Sequence, residues 1–496
     1  MSLTEIEEFL EGNERVYLTE EARDKVVKSR NTLEKLVEES EEPIYGVTTG
    51  FGKLVDRQIE PENRKKLQEN LIKSHSAGLG EPLSRKAVDT AILIRVSSLC
   101  SGYSGIRLEL ADSLVKLLNS EVTPFIPKRG SLGASGDLAP LAHVASVLIG
   151  NGKAFWRKEL LTGSQALEKA GLEPVELIEK EGLALINGTP FMTSIIALVY
   201  IELKKLMKTA DIISSLTAHV LNSNFSPFDK KIHDTRPYPT QSCVAKNIRK
   251  LWGEKRTYSG SKNIQDAYSI RCIPQVHGAA RLAVNHLKEI LSTELRSSTD
   301  NPLVFQNPPS VLSGGNFHGE PLALGADYAT IALTEMSNIS ERRINRTLNP
   351  QLNNELPPFL SPNPGLNSGY MMAHYSVASL VSENRTLCMP SSADNISVSA
   401  DQEDHVSMGM NSALNLRKVA NNLKQILAVE LLSACQAQEF KEDSLPPILN
   451  ICYETVRKKV PAIREDVELR PLMKEGYRLI DEHKCLESIE GELNLC

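Results

Sequence analysis

The sequence predicts a mainly α-helical protein. Apolar residues recur at helical spacing over long stretches, and strand-like alternation is scarce. Aromatic residues make up only 5% of the 496 positions, which favours an aliphatic helix core over a β-sandwich. In chain order, the first break in the helical pattern is the Gly-rich run Tyr45–Lys53 (YGVTTGFGK), read as a loop. A second Gly-rich run is Arg129–Asp137 (RGSLGASGD). Ile186–Pro190 (INGTP) then punctuates two apolar segments, so a division is expected there, with a loop-rich catalytic domain over 1–190 and a helical bundle over 191–496. Residues 191–222 and 279–295 carry helical periodicity. Ser313–Glu320 (SGGNFHGE) is a third Gly-rich run, followed by a predicted helix over 323–347 with the polar Ser340–Arg343 near its end. Pro357–Gly369, with prolines at 357, 358, 362 and 364, is a loop. Over 412–438, Leu416, Val419, Ala420, Leu423, Ile426, Leu427, Leu431 and Ala434 form one stripe at i, i+3, i+4, i+7 spacing. Helices this long pack side by side in a bundle, and the Gly-rich loops are where a rigid scaffold presents a site.

Composition narrows the function by exclusion. With 56 Lys+Arg against 62 Asp+Glu, the net charge of −6 gives no basic footprint for nucleic acid. The basic stretch Lys230–Arg256 is read as a solvated loop and helix face. The most apolar run, Ile195–Leu203, contains Glu202 and is followed by Lys204 and Lys205, far short of the ~20 apolar residues that a membrane span needs. The opening MSLTEIEEFLEG lacks the basic-then-apolar form of a signal peptide. The 8 cysteines form no CxxC pair, so a reducing, cytoplasmic setting is expected. His75, His318 and His405 lie beside distinctive segments, but no HExxH or paired-histidine spacing exists, and no catalytic metal is expected.

The segment Gly133-Ala134-Ser135-Gly136-Asp137 fits none of three familiar motifs. Asp137 occupies the last glycine of a G-x-S-x-G nucleophile elbow. The Gly-Lys-Ser/Thr ending of a phosphate loop is missing. Taken alone it reads as a tight turn before a helix. Its wider context, Gly130–His143 (GSLGASGDLAPLAH), resembles the signature of the histidine and aromatic amino-acid ammonia-lyases. The resemblance runs from about residue 5 to about residue 440 through separated blocks in family order: YGVTTGFGKL, SHSAGLGEPL, LALINGTP, QDAYSIRCIPQVHGA, SSTDNPLVF, SGGNFHGEP, SERRINR and DQEDHVSMG. Any one block is weak, whereas the ordered set makes chance agreement remote.

The resemblance implies a fumarase/aspartase-like helical bundle behind a loop-rich domain. It also implies an electrophile made from the chain itself, methylidene-imidazolone (MIO), formed by cyclisation of Ala134-Ser135-Gly136, with no external cofactor. The residue types suit that chemistry: a glycine nitrogen is least obstructed in a close backbone approach, and serine carries a β-hydroxyl that can leave as water. The implied reaction removes ammonia and a β-proton from an α-amino acid. Tyr268 is expected to take the β-proton and Tyr45 to serve the proton network near the amine. Ionising a tyrosine at neutral pH costs about 4 kcal/mol, and Arg271, three residues after Tyr268, supplies a cation. Arg271 is the expected clamp for the substrate carboxylate, because its planar fork accepts two oxygens. Asn187 would assist it, Gln265 would bond MIO or the carboxylate, and Phe317 would pack near both and exclude water.

Two residues select the substrate. His75 in Ser74-His75 and Glu403 in QEDHVSM have the histidine-specific form, and phenylalanine-specific relatives carry glutamine at the Glu403 position. An imidazole offers two ring nitrogens to such partners, whereas a carboxylate buried against a phenyl ring is costly. The implied activity is therefore conversion of L-histidine to trans-urocanate and ammonia, the first step of histidine degradation. The alternative is a phenylalanine or tyrosine ammonia-lyase or aminomutase. Thr48 departs from the commoner Asn, and Ser391–Ala400 is looser than usual; by the resemblance neither touches the substrate ring. Family members are homotetramers whose active sites draw on three chains, so a homotetramer with shared sites is expected.

Overall fold

The computed structural model describes residues 1–12, 15–39, 43–253 and 264–496. Among the described residues helices dominate, and the strands are short and confined to three small antiparallel sheets: Leu79–Pro82 with Pro127–Arg129; Val122–Pro124 with Lys153–Trp156 and Glu159–Thr162; and the hairpin Leu303–Gln306/Pro309–Leu312. The predicted helices appear as Pro190–Val220, Ile273–Glu294, Glu320–Leu348 and Gly409–Gln438. The first has 31 residues, about 46 Å at 1.5 Å per residue. Of the basic stretch Lys230–Arg256, residues 230–253 hold the helices Lys230–Asp234 and Pro239–Trp252, and residues 254–256 lie outside the described residues.

The contacts gather into two compact units that are not contiguous in sequence. One comprises Met1–Leu198, Lys288–Ala326 and Pro390–Leu414; the other comprises Val199–Leu287, Asp327–Met389 and Asn415–Cys496. The first thus adds two later segments to the expected N-terminal region, and the second collects most of the bundle. Its core is aliphatic, with the 412–438 stripe buried throughout: Leu416, Val419, Leu423, Ile426, Leu427 and Leu431 are all fully enclosed. The polar Ser340–Arg343 run is only partly solvated, with Arg342 exposed. Ser340 and Arg343 point inward, where the Glu430 carboxylate accepts from Arg343 Nη2 at 2.8 Å, from Ser340 Oγ at 2.5 Å and from Thr217 Oγ1 at 2.9 Å. A buried charge persists because it is paired and hydrogen-bonded.

The first unit holds its own buried ion pair. Lys180 Nζ lies 2.7 Å from Asp300 Oδ2, with both side chains fully enclosed. Burial pulls the Lys180 pKa down, with Asp300 opposing it. Asp300 Oδ1 also accepts from the Asn301 N–H at 2.7 Å. This pins the 299–301 segment, which becomes part of the wall described next.

Candidate active site

Three helix N-termini of the first unit meet at the loop Gly130–Asp137. Asp137 is fully buried, and its Oδ2 accepts from the N–H groups of Phe191 at 2.8 Å and Met192 at 3.0 Å. It therefore caps the helix Pro190–Val220, whose first N–H groups have no partner within the helix. Its other oxygen pairs with Ser131 Oγ at 2.9 Å. Burial pushes the Asp137 pKa up to about 7, against the pull of these hydrogen bonds. The Gly133 carbonyl accepts from Gly319 N–H at 3.0 Å, one residue before the helix Glu320–Leu348. It also accepts from Ser407 Oγ at 2.9 Å, and Ser407 Oγ in turn accepts from the N–H of Gly409, the first residue of Gly409–Gln438. At Gly133, with φ +72°, a Cβ would lie 2.1 Å from Ser407 Oγ and 3.2 Å from Met192 Sδ. Three aligned helix starts give this loop a positive electrostatic setting.

The tripeptide itself is clamped on Gly188. The Asp137 N–H donates to the Gly188 carbonyl at 2.6 Å, and the Gly188 N–H donates to the Ser135 carbonyl at 3.4 Å. Gly136 has φ +76°, and a Cβ there would lie 2.0 Å from the Gly188 oxygen, so only glycine fits. Ala134 is buried and Ser135 half-buried.

A cavity of about 970 Å³ opens over Ala134 and Ser135 and is lined also by Tyr45, His75, Asn187, Phe317 and Glu403. Tyr45 comes from the first Gly-rich loop, and its phenol oxygen accepts from the Gly52 N–H at 3.2 Å. The phenol proton is thus left to point elsewhere. His75 ends the helix Arg64–His75, where its Nδ1 lies 2.9 Å from the Leu71 carbonyl. A carbonyl only accepts, so Nδ1 carries the proton and Nε2 is the acceptor. Burial lowers the His75 pKa, which keeps that acceptor available at neutral pH. Glu403 sits where the chain doubles back through Ser399, Ala400 and Asp401, all at positive φ, and it pairs with Val398. Its carboxylate accepts from the Ser135 hydroxyl, while burial raises its pKa. Asn187 Nδ2 donates to the Asn301 carbonyl at 3.1 Å, and its buried Oδ1 has no partner.

Of the sequence-derived site residues, Ala134, Ser135, Tyr45, His75, Asn187, Phe317 and Glu403 come together here, with Gly136 beneath them. Gln265, Tyr268 and Arg271 do not line this cavity. They belong to the second unit, where Tyr268 is 70% exposed and the Arg271 guanidinium lies 4.4 Å from the centre of its ring. Thr48 is not among the lining residues; its Oγ1 accepts from the Ile44 N–H at 2.8 Å and closes a turn. The looser stretch 391–400 reaches the cavity lining through Ser399 and Ala400. Asp137, Gly188, Asn301 and Ser407 were not singled out in the sequence, where nothing distinguishes a capping Asp or Ser from a surface one.

The sequence model of the aromatic amino acid lyases matches residues 1–458. The chain belongs to the aromatic amino acid lyase family. It is 46% identical over 499 aligned residues to histidine ammonia-lyase of Natranaerobius thermophilus, covering 99% of this chain and 98% of that one. Two crystal structures from this family superimpose on it. Histidine ammonia-lyase from Trypanosoma cruzi gives a TM-score of 0.92 at 38% identity, covering 100% of this chain and 94% of the other. Tyrosine aminomutase from Streptomyces globisporus gives 0.94 at 37% identity, covering 100% and 98%. The backbone is therefore shared across substrates, and specificity has to be argued from the pocket. Among the described residues, no helix is long and apolar enough to cross a membrane.

Proposed function

We propose that this chain is a carbon–nitrogen lyase that converts L-histidine to trans-urocanate and ammonia. The observation that carries this reading is the meeting of Ser135, His75 and Glu403 in one cavity. His75 Nε2 and the Glu403 carboxylate are both acceptors, and an imidazole ring brings N–H donors to them. A phenyl ring brings none and leaves the carboxylate unpaired, at a cost of about 1–3 kcal/mol. The relatives at 44–47% identity that carry the name histidine ammonia-lyase support the same substrate.

The electrophile is MIO, built from Ala134-Ser135-Gly136. The residues fit it: Gly136 is held in a positive-φ turn that admits no side chain, and the Ser135 carbonyl and Asp137 N–H that flank it are already paired. Closure joins the Gly136 nitrogen to the Ala134 carbonyl carbon and releases two waters, one carrying the Ser135 hydroxyl. The group supplies an electron sink for loss of ammonia. The chain's own residues do the rest. Glu403 and His75 orient the ring. Tyr45, with its oxygen held by Gly52, handles the proton near the amine. Asn187 offers its amide to the carboxylate, and Phe317 excludes water.

Tyr268, Arg271 and Gln265 are supplied to each cavity by other copies of the chain, in a homotetramer. The exposure of Tyr268, with Arg271 stacked on its ring, and the absence of all three from the lining of their own chain's cavity support this. Exposed Leu282, Tyr328, Ile331, Met372 and Tyr375 on the second unit's helices give such copies apolar surface to bury. Tyr268 takes the β-proton, and Arg271, stacked 4.4 Å from the centre of its ring, clamps the substrate carboxylate.

A substrate panel tests the reading. Histidine, phenylalanine and tyrosine are offered separately, and urocanate, cinnamate and coumarate are followed by their ultraviolet absorbance. Urocanate from histidine as the dominant product is expected. Cinnamate or coumarate as the main product would reassign the chain to the alternative substrates.

A further inference from the structure

Arg95, in the helix Arg85–Leu99, is a buried cation with no part in the reaction described above. Its side chain is fully enclosed within the first unit. The guanidinium Nε and Nη1 are buried without a hydrogen-bond partner. Burial pulls its pKa down to about 10, with Asp300 opposing, so it is still charged at neutral pH. A buried charge with open donors costs stability, which points to a use other than holding the core together.

The remaining nitrogen shows that use. Nη2 donates to the Ala184 carbonyl. Ala184 belongs to the helix Glu181–Ile186, and Gly188 stands four residues on. In a helix that ran on, the Ala184 carbonyl would take the Gly188 N–H. That N–H donates to the Ser135 carbonyl instead. The other arm of the fork lies beside the same residue: a Cβ on Gly188, with φ +139°, would be 2.8 Å from Arg95 Nη1 and 2.6 Å from Thr299 Oγ1. On its opposite side Gly188 meets Gly136. Gly188 is thus wedged between the Arg95 fork and the tripeptide.

We propose that Arg95 is a positioning residue for closure of Ala134-Ser135-Gly136: by occupying the Ala184 carbonyl it frees the Gly188 N–H to hold the tripeptide. The inference rests on the reading of that tripeptide as the source of the electrophile. Closure forms the bond between the Gly136 nitrogen and the Ala134 carbonyl carbon. The Ala134 oxygen leaves as water with the amide hydrogens of Gly136 and Ser135. The Ser135 hydroxyl leaves as a second water with the hydrogen of its own Cα, and no oxidant or reductant is needed. The attacking nitrogen shares a planar peptide with the Ser135 carbonyl, so the bond from Gly188 orients that plane. Without Arg95 the Ala184 carbonyl is orphaned in the core. It recaptures the Gly188 N–H by one more helical step, which a glycine can take, and the Ser135 carbonyl is released. Arg95 touches neither the substrate nor the reacting atoms. Covalent bonds hold the closed segment afterwards, so Arg95 matters for maturation far more than for turnover.

The test follows maturation in the full-length chain. Samples are taken over time after synthesis, and intact-mass spectrometry counts the chains lighter by two waters. Arg95→Met is expected to slow that loss about tenfold or more. Arg95→Lys keeps the charge, but its Nζ ends one bond short of Nη2 and has no second arm, so it should be as slow as Arg95→Met to within about twofold. Leu167→Ala, a core truncation on the helix Gly163–Lys169, serves as a control for lost stability and should mature at the parental rate. Circular dichroism checks folding, and Arg95→Lys is the variant read if Arg95→Met does not fold. Histidine KM, measured on the chains that have matured, should stay within about twofold of the parent. Parental maturation in Arg95→Met, restoration by Arg95→Lys, or equal slowing in Leu167→Ala overturns the role of Arg95. A parent chain that loses no water overturns the electrophile reading itself, and this role with it.

Discussion

The loop Gly130–Asp137 and the block Gln265–Arg271 serve one reaction on the proposed reading, yet they are built in opposite ways. The loop is closed on itself: Asp137 caps one helix, the Gly133 carbonyl takes two donors, and Gly188 clamps the tripeptide from below. Almost every polar group finds its partner within one unit of one chain. The block leaves Tyr268 70% exposed and Gln265 exposed, and the buried Arg271 Nε has no partner. On the proposed reading, a single chain suffices to form the electrophile and the ring pocket but not to complete the proton and carboxylate machinery. The difference separates a segment that is complete within one chain from one whose polar groups are left open, which on the proposed reading sets maturation apart from turnover.

Substitutions at four positions probe that contrast, from the largest effect downward. Ser135→Ala removes the hydroxyl that must leave, so intact-mass spectrometry should no longer find the deficit of two waters, and turnover should drop at least ~10³-fold, about 4 kcal/mol on the barrier. Retained turnover would break the assignment of the loop. Glu403→Gln keeps the shape of the pocket and removes the charge. Histidine kcat/KM should fall about 10–100-fold, as for loss of a charge-assisted hydrogen bond, with far less effect on any residual phenylalanine turnover. Burial raises the Glu403 pKa, so in the parent chain kcat/KM should decline as pH falls through a point above the ordinary carboxylate range. That limb should vanish in Glu403→Gln, and its persistence would place the titrating group elsewhere.

Asp137→Ala acts on the scaffold. It uncaps the helix Pro190–Val220 and should cost about 1–2 kcal/mol of stability in thermal or denaturant unfolding. The parent chain has a further signature. Because the folded pKa of Asp137 is raised to about 7, the folded state holds the proton longer than the unfolded chain does. Its contribution to stability therefore falls as pH rises from the ordinary carboxylate range to about 7, and Asp137→Asn should lack that slope. Thr48→Asn is the smallest change. Thr48 closes a turn away from the cavity, so the ratio of histidine to phenylalanine turnover should stay within about twofold, under ~0.5 kcal/mol. A larger change would extend the pocket to that loop.

Much of this was legible in the sequence, and the rest was hidden for physical reasons. The long helices showed because an apolar stripe at helical period survives in one dimension. The observed Gly409–Gln438 and Glu320–Leu348 begin only a few residues before the predicted starts at 412 and 323. The loop residues showed because glycine at a positive φ, as at Gly136, leaves a compositional mark. Partners distant in sequence did not show. Ser407 reaches Gly133 across 274 positions, and Asp137 reaches Met192 across 55. The inward turn of Ser340 and Arg343 was invisible because Glu430, their partner, lies on another helix. The interleaving of the two units has the same origin, since it depends on which helix ends pack together.

The claim that one site is built from separate copies is tested by co-expressing two inactive variants with different tags, Ser135→Ala and Tyr268→Phe. Each alone should be inactive. If Tyr268 serves the cavity of another copy, random assembly pairs an intact Ser135 with an intact Tyr268 in about a quarter of the cavities of a closed homo-oligomer, and purified mixed oligomers should recover about that share of histidine turnover. Mixed oligomers as inactive as either parent would show that each chain completes its own site, and would contradict the account.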